Sequence, residues 1–127
     1  MTRLVADASV LGAVTFREPD SEPWARRLEG ASLFAPWILQ FEMANIAWKK
    51  IRRQPHDGVA ILTQLRSALD TTGGIQWMEV NLVDVVLVAQ ATGLTPYDAS
   101  YLWLAGSLGA DLVTLDQRLA AASAAAI

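Results

Sequence analysis

The sequence predicts an α/β domain with a mostly parallel central sheet. Short runs of apolar and β-branched residues alternate along the chain with longer segments of helical periodicity, which is the pattern of strands and helices in such domains. No internal repeat divides the chain. The 127 residues, 53% of them apolar, supply enough material for one hydrophobic core, so residues 1–127 are expected to form a single domain.

The N-terminal half begins with a strand that ends at Asp7, where the pattern becomes helical. Gly30 is a natural stop for the second helix, and Pro36 suits the first turn of the third, which the segment QPHDG interrupts. The predicted elements are, in order, a strand at 4–6, a helix beginning near Ser9, a helix at 22–29, a strand at 33–35 and a long helix at 36–53.

The C-terminal half follows the same alternation. Gly93 and Gly109 are placed as helix stops, and Thr95 with Pro96 is a typical helix start. The predicted elements are a helix at 59–69 that ends near 71–74, a segment at 75–80 that is a strand or an extended loop, helices at 82–91 and 95–108, a strand at 112–115 and a final helix.

Composition excludes several classes of site. There is no cysteine, which rules out thiolate metal sites, disulfides and cysteine nucleophiles and suits a reducing cytoplasm. No signal peptide or membrane-spanning segment is expected. The net charge of −3 argues against general attraction to nucleic acid and leaves room for a local basic patch.

Four acidic residues are candidates for a shared site. Asp7 and Asp116 each stand where a predicted strand gives way to a helix, at the edge of a parallel sheet where ligands usually bind. Each alone is explained equally well as a helix N-cap, and Asp98 in the segment TPYD resembles part of a capping box. Glu42 is harder to explain in this way, because it follows Phe41 in an apolar helix start.

The helix that contains Glu42 has a polar face. Asn45, Lys49 and Arg53 follow Glu42 at spacings of three, seven and eleven, beside an apolar stripe that includes Trp48. This face is either an ordinary solvated surface or a route for phosphates toward the acids, and Arg52 belongs to the same basic stretch. Packing in the core or contact with a partner is the favoured interpretation of the five tryptophans, and His56 is expected to be a loop residue.

Carboxylates brought close together must be protonated or neutralised by a cation. All-oxygen sites suit Mg²⁺ or Mn²⁺, and such ions activate water for the hydrolysis of phosphodiesters. If the four acids meet, a metal-dependent hydrolase therefore follows from their chemistry.

The segments VADASV, FEMANIAW, LTPYDASYLWLA and LVTLDQRL, in this order and spacing, resemble the motifs of the PIN-domain nucleases, and in particular of the VapC-like toxins. The resemblance implies a three-layer α/β/α sandwich that cleaves RNA with Mg²⁺ or Mn²⁺, often as a homodimer, and is inhibited by a VapB-like antitoxin. It also implies that Asp7, Glu42, Asp98 and Asp116 are the metal-binding residues, with Ser9 and Thr114 as their small polar neighbours. Asn45, one helical turn after Glu42, is expected to support them.

Alternatives remain open at this stage. Gln117 and Arg118 follow Asp116, so no further acid is assigned there and a second metal ion is doubtful. An RNA-processing nuclease without an antitoxin, or a silent protein-binding module whose acids only cap helices, would share much of this pattern. A receiver-like phosphoacceptor domain is disfavoured, because no lysine stands near the last predicted strand.

Overall fold

A computed structural model describes residues 2–70 and 74–125 and shows four strands in one sheet. Their order across the sheet is β3-β2-β1-β4, and every neighbouring pair is parallel. Leu4, Val5 and Ala6 of β1 are all buried, as expected for an inner strand covered on both faces. The strands are β1 (Arg3–Ala6), β2 (Ser32–Pro36), β3 (Ile75–Met78) and β4 (Asp111–Val113).

Helices cover both faces of this sheet, which confirms the predicted α/β sandwich. α1, α3 and α4 contact one another, while α5 and α7 pack on α6, which lies against β1, β2 and β4. No helix of the described ranges is long and apolar enough to cross a membrane. The helices are α1 (Ala8–Thr15), α2 (Glu22–Leu28), α3 (Ile38–Arg53), α4 (Gly58–Leu69), α5 (Leu82–Thr92), α6 (Pro96–Leu108) and α7 (Gln117–Ala125).

The order of the strands creates a crevice beside β1. The chain runs outward from β1 through β2 to β3 and then returns across the sheet to β4. Right-handed crossovers put the helices of the outward path on one face and those of the return path on the other, so the layers separate between the carboxyl ends of β1 and β4. The N–H of Asp7 donates to the carbonyl of Val113 across this point, at 3.3 Å.

Several element boundaries differ from the sequence prediction. Pro36 is the last residue of β2 and pairs with Met78, so the predicted helix start there is wrong; a missing N–H is tolerated at the end of a strand. β4 ends at Val113 instead of 115, and the next residue, Thr114, directs its hydroxyl to Asp7 and to the N–H of Asp116. QPHDG forms a short 3-10 turn, Pro55–Asp57. The predicted helix end at 71–74 lies largely outside the described residues.

Candidate active site

Asp7 is a buried carboxylate held by neutral donors. It caps α1 by accepting the N–H of Val10 at 3.2 Å, and the same oxygen, Oδ1, accepts the Ser9 hydroxyl at 2.6 Å. Its second oxygen, Oδ2, accepts the hydroxyl of Thr114. The side chain is only 6% exposed. The capping role inferred from the sequence is confirmed, and it leaves the Asp7 carboxyl group fixed in orientation at the end of β1.

Ser9 and Thr114 join the two sides of the crevice. The Ser9 hydroxyl accepts the N–H of Leu115 at 2.8 Å, and that of Thr114 accepts the N–H of Asp116 at 3.0 Å. Each hydroxyl therefore donates to Asp7 and accepts from the loop after β4. This pattern holds the loop that contains Asp116 in a fixed position relative to Asp7.

Asp116 and Asp98 stand at the starts of two helices. Asp116 is exposed and caps α7, since its Oδ1 accepts the N–H of Leu119 at 3.0 Å. Asp98 lies in the first turn of α6, where its own N–H donates to Thr95 Oγ1 at 3.2 Å. Burial raises the pKa of Asp98, and repulsion from Asp116 and Asp7 raises it further, while the charge of Arg118 opposes the change.

Glu42 projects from α3 and is hydrogen-bonded by the hydroxyl of Tyr101 on α6. Tyr101 is 1% exposed. Because α3 and α6 lie on opposite faces of the sheet, this bond joins the two helix layers. Burial raises the pKa of Glu42, and repulsion from Asp98 and Asp7 adds to the change, whereas the Tyr101 bond lowers it. Burial and the neighbouring carboxylate raise the pKa of Tyr101, so its hydroxyl stays a proton donor.

The structure thus places Asp98 near Asp7 and Asp116 and Glu42 near Asp98 and Asp7, and Ser9 and Thr114 are hydrogen-bonded to Asp7. Unlike Asp7 and Asp116, Glu42 does not cap a helix. Within 2–70 and 74–125 no three or more acidic or histidine side chains form a ready-made ligand set around one point. The case for a hard cation such as Mg²⁺ therefore rests on the type of donor, since the acids offer oxygen atoms of like charge. Their mutual repulsion contributes to the raised pKa values of Glu42 and Asp98.

The basic residues of α3 divide into two kinds. Lys49, Arg52 and Arg53 are exposed, and the Arg52 guanidinium lies 4.9 Å from the centre of the Trp48 ring. Lys50 is turned inward to an ion pair with Glu18 and is not a free cation. Asn45 is exposed beside them, and in the described part of the chain no hydrogen bond joins it to the acids.

Sequence reasoning overlooked two residues of this site. Tyr101 lies one helical turn after Asp98, so spacing alone places it on a similar face, but only the structure shows that its hydroxyl meets Glu42. Arg118 donates to the carbonyl of Gly93 at 3.0 Å, which holds its charge near Asp98. From the sequence, Arg118 indicates only that no further acid follows Asp116.

The tryptophans are also divided between core and surface. Trp24, Trp77 and Trp103 pack against the core, as expected. Core packing is wrong for Trp48, which is 53% exposed, and Trp37 is 49% exposed. Two indole rings are therefore available at the surface for contact with another molecule.

Residues 4–125 match the family model described as PIN domain. The chain is 34% identical over 122 residues to Ribonuclease VapC3 of Pyrobaculum aerophilum, across 93% of this chain and 92% of the relative. It is 32% identical over 123 residues to Exonuclease VapC9 of the same organism, across 97% and 87%. The crystal structure of PAE2754 from Pyrobaculum aerophilum matches with a TM-score of 0.78 and 31% identity, across 96% of this chain and 85% of that one.

We expect Glu42→Gln to raise the melting temperature above neutral pH in the absence of divalent ions. The pKa of Glu42 is raised above its ordinary 4.5, so the folded state holds the proton more tightly than the unfolded chain does. The resulting stabilisation is complete below 4.5 and is lost as pH rises through the higher folded pKa. Glutamine stays neutral and still accepts the Tyr101 hydrogen bond. Thermal denaturation followed by circular dichroism across this pH range measures the difference.

Glu22→Gln is the matched control, because Glu22 is exposed on α2, 3.9 Å from Arg26. Its replacement should change the melting temperature little at any pH, since exposed ion pairs contribute little to stability. A Glu42→Gln variant that melts below the wild type above neutral pH would contradict the origin assigned to the raised pKa of Glu42.

Tyr101→Phe should weaken divalent-metal binding without unfolding the protein. The change removes the hydrogen bond that orients Glu42 and leaves the buried ring in place. Loss of such a supporting bond typically weakens metal binding about 10-fold or more. Calorimetric titration with Mn²⁺, compared with the melting temperature of the same variant, separates loss of orientation from loss of fold. Unchanged Mn²⁺ affinity would show that Tyr101 has a packing role alone.

Proposed function

The chain belongs to the PIN-domain family, and on this premise we propose that it is a VapC-like endoribonuclease that hydrolyses RNA phosphodiester bonds with a divalent metal ion. The observation that supports this most strongly is that Asp98 is repelled by Asp7 and Asp116, and Glu42 by Asp98 and Asp7, near the crevice between β1 and β4. The name of the relative Ribonuclease VapC3 agrees with RNA as the substrate.

We assign the binding of Mg²⁺ or Mn²⁺ to the four carboxylates. When bound, such an ion lowers the pKa of water and offsets charge on the phosphate. The protein's own part is orientation: Ser9 and Thr114 fix both oxygens of Asp7, and Tyr101 fixes Glu42. The acids repel one another and would also repel a phosphate, whereas they attract a cation. The metal ion is therefore needed at the site before a phosphate binds there.

The exposed cations of α3 are proposed to guide the RNA backbone. Lys49, Arg52 and Arg53 lie along the helix that contains Glu42, two to three turns beyond it. Arg52 is held over the exposed Trp48 ring, a pairing that offers both a charge for phosphate and a surface for a base. A local basic track of this kind explains how a chain of net charge −3 binds RNA.

We further propose that the protein is the toxin of a toxin-antitoxin pair, acts in the cytoplasm as a homodimer, and is inhibited by a VapB-like antitoxin. The relatives named VapC support this role. The homodimer is assigned to an α5 patch formed by Val83, Val86 and Leu87, which are exposed on neighbouring turns of one helix. Exposed apolar surface of this kind is typical of protein interfaces.

Asp98→Asn should lower the rate of RNA cleavage on the order of 100-fold or more, beyond the loss typical of a supporting residue. Asp98 is the sharpest choice, because its N–H, and not its carboxylate, takes part in the cap of α6. The matched control is Asp84→Asn, which occupies the same position after the Asn81 cap of α5. The assay follows cleavage of a circular RNA in Mn²⁺, with the fold checked by circular dichroism.

Cleavage of the circle by the wild type and by Asp84→Asn, but not by Asp98→Asn, is the expected result. Digestion of linear RNA but not of the circle would show that the enzyme is an exonuclease instead of an endonuclease, in keeping with the name of the second relative. Full activity of Asp98→Asn would refute the assignment of the site.

Induction of the wild type in a bacterium should arrest growth, and co-expression of the adjacent reading frame should restore it. The Asp98→Asn protein should be harmless at equal abundance, since arrest requires the acidic site. Growth curves with immunoblots of both proteins give the measurement. Normal growth with active wild-type enzyme would favour an RNA-processing nuclease that has no antitoxin.

A further inference from the structure

An apolar pocket of about 470 Å³ adjoins the acidic crevice at the same edge of the sheet. It lies beyond the carboxyl ends of β2 and β3, between Pro36, Met78 and the N-terminal turns of α5 and α6. Two of its residues are next to elements of the site: Tyr97 directly precedes Asp98, and Trp37 precedes the helix that contains Glu42. A molecule held in the crevice therefore has this pocket as a neighbour.

α6 separates the two spaces and serves both. Tyr97 and Ser100 line the pocket, whereas Tyr101 reaches Glu42 and Asp98 is in electrostatic contact with Asp7. The buried Ser100 hydroxyl donates to the carbonyl of Tyr97 at 2.6 Å. One helix, α6, thus contributes both Asp98 and part of the pocket wall.

Two aromatic side chains, Trp37 and Tyr97, are among the exposed residues that line the pocket. Trp37 stacks on Trp77 with ring centres 5.8 Å apart and an interplanar angle of 21°, and Trp77 is itself packed against the core. The stack covers one face of Trp37, and about half of that side chain remains exposed. Tyr97 is 63% exposed across the same pocket. Flat, supported rings of this kind are suited to stacking with a nucleobase.

The charges of the pocket select the base over the phosphate. Among the described residues that line it there is no Lys, Arg or His, and the one charged residue is Glu79, which is exposed. A phosphate would meet repulsion, whereas a neutral base with N–H donors would find an acceptor. The volume lies within the range of pockets that hold small ligands, so it accommodates a single base and its sugar.

We propose that this pocket binds one unpaired RNA base next to the phosphodiester that is cut, with Trp37 and Tyr97 as stacking surfaces and Glu79 as the hydrogen-bond acceptor. The inference rests on the proposed ribonuclease function. It makes the pocket the source of sequence preference, favouring bases that offer amino or imino donors to a carboxylate.

Cleavage of a single-stranded RNA library with randomised positions tests this assignment. The wild type should prefer particular bases at one position beside the cut. Tyr97→Ala should flatten that preference and raise KM about 10-fold, the size expected from the loss of one stacking contact, while kcat at saturating RNA changes little. Tyr97→Phe should restore the preference, and Glu79→Gln should change which bases are preferred.

The control is Phe41→Ala, which removes an exposed aromatic ring that does not line the pocket and should leave the base preference unaltered. A test that needs no variant uses the wild type with RNA that lacks the base at the preferred position, where KM should also rise about 10-fold. Unchanged KM on that RNA, or an unchanged preference in Tyr97→Ala and Glu79→Gln, would overturn the proposal.

Two other outcomes are distinguishable. If Tyr97→Ala converts a dimer to a monomer in sedimentation, a second copy of the chain covers the pocket and the base assignment is wrong. If the wild type cleaves no RNA, the proposed function fails. In that case binding is measured with the Asp98→Asn variant. If it binds an oligonucleotide that lacks one base more weakly than the complete oligonucleotide, the pocket is still supported.

Discussion

Repulsion among carboxylates at the carboxyl ends of β1 and β4 is the constraint on which the rest of this structure depends. Burial already disfavours a charge on Glu42 and Asp98, and their acidic neighbours increase the cost. In the ranges 2–70 and 74–125 no lysine or arginine forms an ion pair with Asp7, which instead accepts hydrogen bonds from the neutral donors of Ser9, Val10 and Thr114. These donors fix both carboxylate oxygens of Asp7 in place.

The topology explains why these residues meet although they are far apart in sequence. The change of direction after β3 brings β4 beside β1, and the crevice between the helix layers opens at that pair. α6 then adds Asp98 and Tyr101, and α3 adds Glu42 from the opposite layer. Tyr101 closes the arrangement with one hydrogen bond between the layers.

Much of the fold followed from the sequence, because apolar periodicity and helix caps report local structure. Asp7 and Thr95 each cap the helix that their position implied. The boundaries of β4 and α3 did not follow, since Pro36 and Thr114 are governed by partners elsewhere in the chain. The four acids were identifiable from motif order, whereas the Glu42–Tyr101 bond and the outward face of Trp48 depend on how helices pack.

The central claim is that the four acids form one metal site, and anomalous diffraction from crystals soaked in Mn²⁺ tests it most directly. The account predicts a peak in the crevice between β1 and β4, in contact with carboxylate oxygens of Asp7 and at least one of Glu42, Asp98 and Asp116. In crystals of Asp98→Asn the peak should be weaker or absent. A peak elsewhere, or no peak at a concentration of Mn²⁺ that supports activity, would contradict the claim.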